Sequence, residues 1–124
     1  MTKSNKDIVL EVLKRTFIDR DPKVVEQYFS PNYKQRNPSI PDGPSAIAEM
    51  IPTLTSLTYE PGMAVAEGDL VMVHGRYTGW GPKPMVAVDI FRVKDGKVVE
   101  HWDVMQEEIP DADTASGNAM FTKS

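Results

Sequence analysis

"MVAVDIFRVKDGKVVEHWDVMQ", residues 85–106, is the stretch that decides how this chain folds. Two runs of β-branched and apolar residues alternate with polar ones, and Asp95-Gly96 stands between them. An Asp-Gly pair flanked by period-two alternation marks a β-hairpin, because the tight turn that suits strand twist needs positive φ. The second run, "VVEHWDVMQ", carries His101 and Asp103 on one face and Trp102 on the other. Loop type then decides what stands opposite them. A two-residue turn pairs Lys94 with Lys97 and sets Val88 against Asp103 and Ile90 against His101. A three-residue loop with a glycine bulge pairs Val93 with Lys97, sets Asp89 against His101 and Ala87 against Asp103, and gathers Asp89, His101 and Asp103 on one face beside Phe91. The competing arrangement leaves His101 and Asp103 facing solvent with Trp102 packed inward as core.

Upstream of the hairpin, "LTYEPGMAVAEGDLVMVHGRYTG" also runs at period two from Leu57 and reads as two strands joined at Glu67-Gly68-Asp69. Before Leu57 the period is helical. Ser4 with Asp7 approximates a capping box, and Ile8, Val9, Val12, Leu13 and Phe17 form an apolar stripe. Asp21 and Pro22 open a second helix that buries Val24, Val25, Tyr28 and Phe29. "SPNYKQRNPSIPDGP" holds four prolines and reads as irregular, too polar for a core element. A third helix starts near Pro44 and uses Ile47, Met50, Ile51 and Leu54, with Pro52 kinking or ending it. Helices over about 4–56, a sheet of about four antiparallel strands over about 57–107 and a tail over 108–124 make one α+β domain spanning residues 1–124. A strongly twisted sheet of this kind curls around a helix and leaves a conical cavity, the natural place for a ligand.

The composition excludes several classes of function. With 40% hydrophobic and 26% charged residues in 124, the chain is of ordinary globular type. A net charge of −4 without a Lys/Arg block argues against nucleic acid. The absence of cysteine removes disulfides, thiolate catalysis and zinc–thiolate sites. The first residues lack the apolar core of a signal peptide and no apolar run is long enough to span a membrane, so the expectation is a cytoplasmic protein. Among candidate groups, His74 shares a strand face with Leu70, Met72, Arg76 and Thr78 and reads either as a hydrogen-bonded structural residue or as a proton carrier. No histidine or carboxylate pair has metal-ligand spacing, and no metal is expected. Tyr33, Gln35 and Asn37 alternate along a short extended segment, where they either offer hydrogen bonds to a carbonyl oxygen or pack and satisfy the loop.

"NYKQRNPSIPDG", "VAEGDLVMVHGRYTG", "VDIFRVKDGKVVEHWDVMQ" and the tail "GNAMF" together resemble the SnoaL-like, polyketide-cyclase-related family of the superfamily typified by nuclear transport factor two and ketosteroid isomerase. The resemblance runs from about Asn32 to Phe121. It implies an α+β cone of curved antiparallel sheet wrapped on N-terminal helices, a homodimer formed through the sheet, and a pocket for a small apolar ligand. It also implies cofactor-free acid–base chemistry, with proton abstraction next to a carbonyl followed by aldol ring closure, or an isomerisation. On that footing Asp103 or Asp89 is the base, His101 or His74 its partner, and Tyr33 and Gln35 are ligands of the carbonyl oxygen; Asn37, Trp102 and Phe91 are further expected substrate-binding residues. Two other activities share the fold: ligand binding by a non-catalytic dimer, and epoxide hydrolysis of the limonene type. Relatives commonly read Tyr-x-Gln-His-Asn-Pro where this chain has Arg36, and an arginine is no base near neutral pH.

Overall fold

The first helix begins as its sequence directs: Ser4 Oγ accepts a hydrogen bond from the Asp7 amide at 3.1 Å. In the computed structural model, which describes residues 3–123, this is α1 (Asn5–Phe17). There follow α2 (Lys23–Tyr28), β1 (Phe29–Gln35), α3 (Pro44–Met50) with a 3₁₀ turn at Ile51–Thr53, and then β2 (Thr58–Glu67), β3 (Leu70–Thr78), β4 (Met85–Lys94) and β5 (Lys97–Glu107). A last 3₁₀ turn lies at Asp111–Asp113. Asp21 supports the start of α2 by accepting from the Lys23 amide at 3.0 Å.

The five strands form one curled, unclosed sheet in the order β1-β5-β4-β3-β2. The four expected strands are antiparallel neighbours, and the fifth is a departure from the sequence reading. Part of the segment read as irregular is β1, which pairs parallel to β5 through Lys34 opposite Glu100 and Gln35 opposite His101. Pro31 is accommodated there because β1 is an edge strand and the pairing breaks between Phe29 and Lys34. The helices cover the inner face of the sheet. Val9, Val12 and Leu13 of α1 meet Val71, Val73, Val93 and Val98 in a core where all seven are at most 2% exposed. Each such side chain contributes about 1.5–3 kcal/mol relative to exposure.

The hairpin keeps the two-residue turn but beyond it follows neither expected register: Asp89 does not lie opposite His101, and Ala87 lies opposite Met105, not Asp103. Its turn has two residues, Asp95 and Gly96, at φ 52° and 75°, so Lys94 pairs with Lys97 and Val93 with Val98. A bulge then inserts one residue into β5, and from there Arg92 lies opposite Glu100, Phe91 opposite His101 and Asp89 opposite Asp103. Neither simple register therefore holds over the whole hairpin. What matters is parity: one extra residue puts buried Val98 and buried His101 on the same face although three positions separate them.

Candidate active site

Asp89, His101 and Asp103 point inward from neighbouring strands at the bottom of a cavity of about 490 Å³. Phe17, Ile40, Met50, Tyr77, Trp80 and Met105 supply most of its apolar wall, and Asn37 adds a polar group. His101 Nε2 lies 2.8 Å from Asp89 Oδ1 and 3.9 Å from Asp103 Oδ2. The other oxygen of Asp89 accepts from the Tyr77 hydroxyl at 2.6 Å. Burial, and secondarily the charge of Asp89, pushes the Tyr77 hydroxyl well above its usual pKa, so it stays a donor. Phe91 backs the imidazole, ring centre to ring centre 4.7 Å.

The segment after β1 completes the cluster through two side-chain amides. Gln35 Oε1 accepts from the Asn37 amide at 3.1 Å, and Asn37 Oδ1 accepts from the Ser39 amide at 2.8 Å. Each amide oxygen is thus held by the backbone two residues further on, which sets the orientation of the whole group. Gln35 presents its oxygen to His101 Nδ1 at 2.7 Å and its nitrogen to the Tyr33 hydroxyl at 2.8 Å. Asn37 presents its nitrogen to both oxygens of Asp103, at 2.7 and 3.0 Å. Tyr33 is buried, and desolvation followed by the charges of Asp89 and Asp103 raises its pKa.

Of the residues the sequence singled out, Asp89, His101, Asp103, Asn37, Gln35, Tyr33 and Phe91 converge. His74 and Trp102 do not. His74 is on the outer face of β3, against the Phe121 ring of the tail at 5.8 Å, with its Nδ1 buried and unpartnered. Trp102 is on the outer face of β5 with the Arg92 guanidinium 5.7 Å from its ring. Alternation settles both, since each belongs to the opposite parity from the inner residues of its strand. Tyr33 and Gln35 line a narrow space of about 30 Å³ behind His101 and are not among the residues lining the main cavity. Arg36 points away and pairs with Glu100 at 2.9 Å. Tyr77 went unnoticed in the sequence, though it shares a face with Val71 and Val73 and the same alternation would have found it.

One ligand atom from each of Asp89, His101 and Asp103 lies within 4.8 Å of the others, so these three are also a group able to hold a cation. Sequence spacing could not reveal it because the donors come from two strands. A bound ion would have to displace the hydrogen bond between Asp89 and His101.

Among curated proteins no significant match to the sequence was found. Several solved structures share the fold. An NTF2-like protein of unknown function from Cytophaga hutchinsonii superposes with a TM-score of 0.73 at 15% identity, over 86% of this chain and 93% of its own. A candidate polyketide cyclase from Acidithiobacillus ferrooxidans gives 0.69 at 17%, over 86% and 92%. An LEH-like epoxide hydrolase from M. tuberculosis gives 0.66 at 16%, over 82% of each chain. At such identities the likeness establishes the fold alone. The sequence itself matches the SnoaL-like domain over residues 9–101, well over half its length, and the chain belongs to that family.

Proposed function

We propose that this protein is a cofactor-free acid–base enzyme that enolises a small apolar carbonyl compound and, where the substrate carries a second carbonyl, closes a ring by aldol addition. The observation that carries this reading is the grouping of two carboxylates and one imidazole at the polar end of an otherwise apolar cavity. Asp103, whose oxygens are held by Asn37, is the base that removes the proton next to the carbonyl. The proton between Asp89 and His101 is delivered to the carbonyl oxygen as the enol forms. In aldol closure the enol hydroxyl returns its proton to the Asp89–His101 pair as the carbon–carbon bond forms, and Asp103 gives the proton it took to the alkoxide left on the second carbonyl.

The test is exchange of deuterium from solvent into a panel of apolar ketones and 1,3-dicarbonyls, followed by NMR. The wild type labels the carbon next to the carbonyl, Asp103→Asn labels it at least ~100-fold more slowly, and a chelator changes neither rate. Ligands that raise the melting temperature without any exchange would leave the protein a binder and refute the enzyme.

A second reading has its own support. His101 stands between two carboxylates, an arrangement suited to epoxide hydrolysis, where one carboxylate activates water and the other group protonates the ring oxygen. Incorporation of labelled solvent oxygen into a diol, with no exchange into ketones, would favour it.

The proposed assembly is a homodimer through the outer face of the sheet. Val65, Met72, Ile90 and Trp102 form a row across four strands, with Val88 and Val104 beside them, and Val65 and Val104 are 62% and 68% exposed. A contiguous apolar face of this kind marks a contact surface. Sedimentation at micromolar concentration should give a dimer for the wild type and a monomer for Val104→Lys.

A further inference from the structure

We infer that Gln35 is a positioning residue that commits His101 to the tautomer protonated on Nδ1, and so turns the contact between Asp89 and His101 into a proton store. What the proton is used for rests on the acid–base reading above; where it sits does not.

The inference is an accounting of donors and acceptors. An amide oxygen cannot donate, and Gln35 Oε1 is identified as the oxygen because the Asn37 backbone N–H points at it. The nitrogen end is independently engaged, donating to the Tyr33 hydroxyl. At 2.7 Å from that oxygen, His101 Nδ1 must therefore carry hydrogen. A neutral imidazole with hydrogen on Nδ1 has a bare lone pair on Nε2. Nε2 lies 2.8 Å from Asp89 Oδ1, and a bare nitrogen does not approach a bare carboxylate oxygen so closely. One further proton therefore lies between them, whether drawn on the ring or on the carboxyl. Asp89 Oδ2 already accepts from Tyr77, and Asp103, the remaining charged group facing the ring, is farther off at 3.9 Å. Phe91 covers the imidazole from β4 and contributes no charge.

Without Gln35 the obvious rearrangement is simple. The proton on the Asp89 side stays on Nε2 and is donated to an ordinary carboxylate, the Nδ1 hydrogen is released to solvent, and the neutral ring has no proton to spare. Gln35 is half-buried and lines the narrow space of about 30 Å³ beside the ring rather than the main cavity, so its route to the reaction is through His101.

The experiment reads the tautomer directly by long-range proton–nitrogen NMR of the histidine ring, with no substrate present. The chain has two histidines, and His74→Gln leaves His101 alone in the spectrum. In that background the expected result is a protonated Nδ1 from mildly acidic to neutral pH. Gln35→Leu should invert the preference, with hydrogen on Nε2 favoured at least ~10-fold, while Gln35→Glu, which retains an oxygen acceptor, should restore hydrogen on Nδ1. An unprotonated Nδ1 with Gln35 in place would overturn the inference, and so would a Gln35→Leu spectrum in which Nδ1 keeps its hydrogen. Should Gln35→Leu fail to fold, the spectrum with Gln35 in place still decides. Absence of deuterium exchange together with a protonated Nδ1 would sink the proposed reaction and leave this inference standing.

Discussion

At the scale of single residues, the inner face is shaped as much by a missing side chain as by those present. A Cβ on Gly75 would sit 2.7 Å from the Tyr59 ring and 2.9 Å from its hydroxyl oxygen. That ring cannot retreat, because Phe17 and Tyr77 flank it at 5.6 and 4.5 Å. Gly75→Ala should therefore destabilise the protein by about 1–3 kcal/mol, measured as a lower midpoint of urea unfolding. Tyr77→Phe keeps the packing and deletes the donor to Asp89 Oδ2, which should cost about 1.5–3 kcal/mol in the same measurement. Alternation alone made most of the cluster legible, since Asp89 shares its parity with Phe91, and His101 with Asp103. The roles of Tyr33 and Gln35 were not legible. A sequence shows that they alternate, but whether they meet a ligand or the back of an imidazole depends on which strand β1 adjoins.

The decisive element is the hairpin of β4 and β5. Asp95-Gly96 marked the turn but left its length open between two and three residues, and the bulge in β5 had no mark in the sequence, because Val98 and Val99 are the same residue and either fits either face. Strict alternation counted back from His101 puts Val99 inside, yet the structure buries Val98 completely. Deleting one valine should remove the bulge while leaving Glu100 opposite Arg92 and His101 opposite Phe91. The shortened protein should fold at a cost of no more than about 3 kcal/mol and retain the nitrogen spectrum of His101. A changed spectrum would show that the bulge sets the tilt of the strand as well as its parity. β1 escaped prediction for a related reason: its seven residues include Pro31 and bury Phe29 and Tyr33 while Asn32 and Lys34 stay exposed, too weak a pattern to outweigh four prolines nearby.

For the whole molecule, three of the four buried tyrosines set a limit on alkaline stability. Desolvation is the larger cause that raises the pKa of Tyr33, Tyr59 and Tyr77 above the ordinary value of about 10, with the charge of Asp89 adding to it. The unfolded chain ionises these phenols at lower pH than the native one. Their contribution is thus complete below about pH 10 and is lost as pH rises toward the native values, by about 1.4 kcal/mol per tyrosine per pH unit. Melting temperature should hold steady to the ordinary tyrosine range and then fall steeply, with tyrosinate absorbance appearing together with unfolding. A gradual rise of that absorbance in the folded protein would contradict it. The parallel contact of β1 with β5 has a kinetic consequence as well. The hydrogen bonds from His101 to Gln35 and from Asn37 to Asp103 each join residues 66 apart in sequence, while the hairpins need only local contacts. Closing so long a loop carries an entropy cost that the hairpins avoid, so the strand should dock late on the folding pathway. Asn37→Ala would then speed unfolding and leave the refolding rate nearly unchanged, and a chain stalled before that step would hold its hairpins, with Asp89, His101 and Asp103 gathered but without the amides that fix them.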